Sequence, residues 1–136
     1  MITPTDIYVA NAGDSRVVLA IKKSDKYQAI ELSEDHKPEL KTERARIEKA
    51  GGFVEDNRVK GVLNLSRSLG DLEYKLDSSL SVADQMITAV PEIRKEKITP
   101  ETSFLVLACD GIWDCLTSQE CIDFAGELLK KKEKVS

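Results

Sequence analysis

The apolar run Phe104-Leu105-Val106-Leu107-Ala108-Cys109 stops abruptly at Asp110-Gly111, and Asp114 follows one helical turn later. A run of this length, ended by a turn signal, reads as a buried strand. A carboxylate placed where such a strand ends is costly unless something cationic meets it. Gly111 would let the chain turn sharply and let other groups approach the acid. The four-residue spacing between Asp110 and Asp114 would set the second carboxylate beside the first on a helical turn. Hard oxygen ligands in that arrangement suit Mg²⁺ or Mn²⁺. The plainer reading of the same residues is a helix start, with Asp110 capping the turn through Trp113.

Two more segments repeat the pattern. Asn11-Ala12-Gly13-Asp14-Ser15-Arg16 sits between apolar runs at 7–10 and 17–21 and reads as a tight hairpin with Asp14 at its tip. Leu63-Asn64-Leu65-Ser66-Arg67-Ser68-Leu69-Gly70-Asp71 is a third place where apolar chain stops at a Gly-Asp pair. Taken singly, each such pair reads as a turn.

The chain's 136 residues make one ordinary domain, and 41% apolar residues can supply a packed core. A net charge of -4 argues against a nucleic-acid partner, whose phosphates need an excess of Lys and Arg. No apolar run reaches membrane-spanning length, and the start has neither the basic nor the apolar region of a signal peptide, so cytoplasmic or nuclear residence is the expectation. Cys109, Cys115 and Cys121 are odd in number and far in sequence from the lone histidine, His36. They read as free thiols in a reducing compartment, with no zinc site.

Short apolar runs at 7–10, 17–21 and 29–32 predict strands in the first third. The charged stretch at 40–50 suits a surface helix with Arg44 and Glu48 paired, ended by Gly51-Gly52. Residues 53–55 and 58–62 predict a hairpin around Asp56-Asn57. Residues 73–85 read as loop, and 86–90, 93–98 and 104–109 as strands. Thr117 and Glu120 have capping-box spacing, and Cys121, Phe124, Ala125, Leu128 and Leu129 predict the inward face of a closing helix. The lysines from Lys130 to Lys134 complement that helix's negative end. The result is an α+β chain dominated by strands.

In order and spacing, ANAGDSR, DHKP, ERARIEKAGGFV, LSRSLGD and LACDGIWD resemble the second half of the type 2C metal-dependent protein Ser/Thr phosphatases, over about residues 7–124. The resemblance implies an antiparallel β-sandwich flanked by helices, of which residues 1–136 form a partial catalytic domain with a flap at about 38–62. It also implies Mg²⁺ or Mn²⁺ as cofactor and a phosphoprotein substrate attacked by water without a covalent intermediate. By the same likeness Asp110 ligates a core metal, while Asp14 and Asp114 help hold a further, weaker one. Arg67 and Asp71 are expected to brace the structure.

The family's first half carries an acidic metal motif, a phosphate-binding cation and an Asp-Gly-His motif, and its end carries an Asp-Asn motif. None has a counterpart in this sequence, and His36 is expected to take a turn or surface role, outside catalysis. The expectation is therefore a portion that is inactive alone and whose uncovered strands invite self-association. Two rivals remain. A haloacid-dehalogenase site would need a second Asp at position 112, where Ile stands. A non-catalytic pseudophosphatase or interaction module of the same fold stays open.

Overall fold

The structure, a computed structural model, describes residues 1–133. Apart from single 3₁₀ turns at Leu72–Tyr74 and Val82–Asp84 in and beside the predicted loop at 73–85, the order of elements is β1 (Asp6–Asn11), β2 (Arg16–Lys23), β3 (Lys26–Glu31), α1 (Lys41–Lys49), β4 (Val54–Glu55), β5 (Arg58–Val59), β6 (Glu92–Lys97), β7 (Thr102–Ala108), α2 (Asp110–Trp113) and α3 (Ser118–Glu133). These fall into two compact units, one formed by Met1–Val9, Ser15–Glu34 and the chain from Ile93 onward, the other by Ala10–Asp14 and Asp35–Glu92.

The first unit is built on period-two alternation. β2 is the centre of an antiparallel sheet in the order β3-β2-β7, and β1 pairs with β6 in a second sheet. Val18 and Ala20 point to one face, where they meet Trp113, Cys121 and Ile122 from the helices. Leu19 points to the other face, against Ile7 and Val9 of β1. A single strand thus feeds two cores because successive side chains alternate.

Three expectations are corrected here. The segment at 11–16 does not form a hairpin between its flanking strands, since β1 pairs with β6 while β2 pairs with β3 and β7. The strand at 104–109 is real but lies at the edge of the described sheet, and Leu107 is 69% exposed. Leu107 alternates onto the face shared with Leu105, yet only Leu105 packs into the cluster of Ile7, Val9 and Leu19. The inward stripe of α3 is also rotated from the predicted one. Cys121, Ile122 and Gly126 are buried, whereas Phe124 and Leu128 are exposed.

Gly126 explains the rotation. A Cβ added there would collide with the Tyr27 ring, so the helix backbone lies directly on that ring. Tyr27 in turn stacks edge-on against Phe104 at 5.2 Å between centroids. The capping box is formed: the Thr117 N–H donates to Glu120 Oε2 (2.8 Å) and the Glu120 N–H to Thr117 Oγ1 (3.3 Å). Lys130, Lys131 and Lys132 occupy the last turn of α3, and Lys134 lies outside the described residues.

In the second unit α1 packs Ile47 against Val59, Met86 and Ile87. The β4–β5 hairpin turns at Asp56 and Asn57 with φ of 48° and 58°, the left-handed pair its tight connection requires. The predicted strand at 86–90 is absent. Its backbone is satisfied by loop partners instead, the Ser68 N–H donating to Thr88 O (3.1 Å) and the Val90 N–H to Thr88 Oγ1 (3.1 Å).

Candidate functional site

Asp110 is the first residue of α2, with Cys109 in an extended conformation at the N-cap. The strand therefore runs straight into one helical turn, closed by the Asp114 N–H on Asp110 O at 2.8 Å. Asp110 is half-buried and Asp114 exposed, so the structure places both at the mouth of the strand, one turn apart. Gly111 is an ordinary helical residue here, and a Cβ on it would meet nothing within 4 Å. Its predicted role in a sharp turn is not used. Trp113 anchors the turn by donating Nε1–H to Ala108 O at 2.7 Å.

A groove of about 400 Å³ runs beside this turn and includes Arg16, Trp113, Asp114 and Ser118 in its walls. The Arg16 guanidinium lies 5.2 Å above the Trp113 ring and pairs with Glu31 at 3.3 Å. Its charge is thus engaged by the sheet and the indole, which suits bracing.

Asp14 belongs to the second unit, on a short loop clamped by the segment after it. The His36 N–H donates to Gly13 O (3.0 Å), and His36 Nδ1 lies 3.2 Å from the Gly13 nitrogen. The Asp14 carboxylate itself is paired with Lys37, Nζ to Oδ2 at 2.6 Å. His36 was expected in a surface or turn role, but it is 2% exposed. It serves as the clamp, and its Nε2 stands 3.5 Å from Glu92.

Behind the clamp sits a group that sequence reasoning missed. Glu43 falls in the charged run of α1, yet it is 2% exposed. Burial alone would raise its pKa. Hydrogen bonds from Arg67, Ser66 and Arg46 outweigh that effect and bring it down to about 2. Arg67 meets it at 2.6 Å and Arg46 at 2.7 Å. Ser66 Oγ lies within hydrogen-bond distance of both Glu43 and His36 O. Arg67 is therefore a brace, as expected, and Asp71 takes a hydrogen bond from Ser68 Oγ at 2.5 Å beside Gly70. The available signal was that Glu43 and Ile47 stand four apart on one helical face.

Chemically, the carboxylates of Asp14, Asp110 and Asp114 fit a hard divalent cation, and Asp14 already neutralises a cation. In number they fall short, because among the described residues no three His, Cys, Asp or Glu side chains form a group that could hold a metal ion.

An antiparallel sheet faced by a helix, with an acid where a strand enters a helical turn, makes an α+β arrangement, and the solved structures that share it are phosphatases. A Toxoplasma gondii phosphatase structure superposes with a TM-score of 0.83 and 36% identity over 94% of this chain, which spans 39% of that one. A second structure, serine-threonine phosphatase 2C from the same organism, has a TM-score of 0.76 at 23% identity. The Protein phosphatase 2C family matches residues 1–136. The chain belongs to the protein phosphatase 2C family. The Arabidopsis thaliana relative described as probable protein phosphatase 2C 21 is 49% identical over the whole chain, which spans 37% of its length. Protein phosphatase ppm-1.G of Caenorhabditis elegans is 52% identical over 92% of the chain, covering 25% of that protein.

Proposed function

We propose that this chain is part of the catalytic domain of a metal-dependent protein Ser/Thr phosphatase, acting on phosphoserine and phosphothreonine in proteins of the cytoplasm or nucleus. The observation that carries the reading is the family match across residues 1–136. The chemistry that Mg²⁺ or Mn²⁺ supplies in such an enzyme is activation of water and stabilisation of charge on phosphoryl oxygens. Asp110 and Asp114 would be ligands presented on the turn of α2, and Asp14 would be a ligand on its own clamped loop. Glu43, Arg67 and His36 would hold that loop still.

By itself the chain would not turn over a phosphopeptide. Three carboxylates do not fix a pair of ions. Every arginine with described contacts near the candidate residues is occupied as a brace: Arg16 with Glu31, and Arg46 and Arg67 with Glu43. His36 is buried as a backbone clamp rather than free to donate a proton. The absence of a three-ligand group among the described residues also favours the second reading, a non-catalytic interaction module of the same fold.

An Mn²⁺-supplemented phosphopeptide assay separates the two, run on the chain alone and with the N-terminal half of a family member added in trans. Turnover restored in trans, and lost in Asp110→Asn, supports the phosphatase reading. No turnover under either condition supports the module. Robust turnover by the chain alone would overturn the proposed inactivity.

A further inference from the structure

We propose that the Gln119 carboxamide stands in for a neighbouring strand on the open edge of β3, and so keeps a second copy of this chain from pairing there.

β3 ends the sheet β3-β2-β7, and its register on β2 decides which backbone groups turn outward. The Leu32 N–H donates to Val17 O (2.8 Å), so pairing with β2 falls on the even-numbered residues. Tyr27, Ala29 and Glu31 then present their N–H and C=O groups to the open side. Such a row is a template for another strand. Here side chains of the same unit occupy it. The Ala29 N–H donates to Gln119 Oε1 (3.0 Å), and Gln119 Nε2–H donates to Tyr27 O (3.0 Å). These two backbone groups flank Gln28, and they are the pair that one residue of a parallel strand would take. Beyond them, Lys130 Nζ donates to Asp25 O at one end and Arg94 Nη1 to Glu31 O at the other, both at 2.9 Å.

Gln119 is exposed, yet its position is fixed. The capping box holds the first turn of α3, and Ser118 Oγ–H donates to Glu31 Oε1 at 2.5 Å, tying that turn to the end of β3. Nε2 also donates to Asp123 Oδ1 (3.0 Å), one turn further along the helix. The carboxamide has one workable orientation. A backbone N–H only donates, and a carbonyl or carboxylate only accepts, so a flipped amide would lose all three bonds. An incoming strand must break the two bonds to β3 and meet an ammonium and a guanidinium at the flanks. Two neutral hydrogen bonds correspond to roughly ten- to a hundredfold in an association constant.

The test compares the unaltered chain with Gln119→Met and the Gln119→Met/Ala29→Pro double variant. Sedimentation velocity over a concentration series gives the mass, and amide exchange by NMR reports on Ala29. Methionine keeps the length and helix preference of glutamine and makes neither bond. The expected result is that Gln119→Met self-associates at a concentration about tenfold or more below that of the unaltered chain. Its Ala29 amide should exchange fast when dilute and regain protection as the mass rises. Proline at position 29 removes the outward N–H and leaves the bonds to β2 alone, so the double variant should return to the behaviour of the unaltered chain. Equal masses for Gln119→Met and the unaltered chain at every concentration overturn the proposal. Association of the double variant as strong as that of Gln119→Met places the contact on another surface and overturns it too. Should Gln119→Met fail to fold by circular dichroism, the unaltered chain carries the test at a concentration where it is monomeric. Its Ala29 amide should then exchange at least about tenfold more slowly than an unstructured amide, although no strand faces it. Exchange at the unstructured rate refutes the stand-in.

Discussion

Arg67 Nη2 stands 2.6 Å from Glu43 Oε1, and the carboxylate it meets is 2% exposed. The pair ties the LSRSLGD segment to the inner face of α1, and Arg46 closes it by donating to Ser66 O at 2.5 Å. Breaking one partner of such a network leaves the others charged and buried, which costs more than the pair gained in forming.

That geometry sets a pH dependence. Burial pushes the Glu43 carboxyl up, the bonds from Arg67, Ser66 and Arg46 pull it further down, and it settles at about 2 against an ordinary 4.5. A depressed folded-state value gives stability that is complete above about pH 4.5 and is lost as the pH falls towards 2. The gap corresponds to roughly 3 kcal/mol. Urea denaturation between about pH 6 and pH 2.5 should show that loss, and Glu43→Gln should be less stable at neutral pH with a flatter acid limb. An acid limb unchanged in Glu43→Gln would place the loss elsewhere.

The two faces of the first unit respond differently to truncation. Ile122 is fully buried against β2, so Ile122→Ala should cost about 2–5 kcal/mol. Leu107, at 69% exposure, should lose no more than about 0.5 kcal/mol on truncation to Ala. Equilibrium denaturation of both variants checks the pair, and a larger loss at Leu107 would mean that its face is covered in solution.

Thiol chemistry provides a third check. Cys109 and Cys115 are exposed, while Cys121 is buried and burial raises its thiol pKa. A disulfide-forming reagent at neutral pH should label the first two quickly and Cys121 only on unfolding. Fast labelling of all three would show that α3 leaves the sheet readily.

Metal binding by the turn of α2 is tested most directly at Asp110. Weak Mn²⁺ binding by the unaltered chain should fall at least about fivefold in Asp110→Asn, since carboxamide oxygen carries no charge for a hard cation. Identical titration curves would remove Asp110 from the ligands.

Much of the architecture was legible because local rules and packing agreed. Asp56-Asn57 demanded a tight turn, Thr117 and Glu120 demanded a helix start, and the runs at 7–10, 17–21 and 29–32 all became strands. What stayed hidden depends on neighbours remote in sequence. Residues 86–90 have strand-like apolarity, yet Thr88 and Ser68 satisfy the backbone without a ladder. Leu107 matches Leu105 in character and differs only in what lies above it. Glu43 reads as one more surface acid until Ser66 and Arg67, more than twenty residues later, close over it. The candidate ligands were visible as acids at turns, but Lys37 on Asp14 was not, because DHKP gives no hint of where its lysine reaches.

The contact at Gly126 reaches beyond its own turn. With the Tyr27 ring occupying the place of a Cβ, a single hydrogen atom gauges how near α3 can come to β3. Any larger residue would act as a wedge, levering Cys121 and Ile122 off the sheet they seal. The approach of α3 to the sheet is thus limited at a position that contributes no side chain to the core.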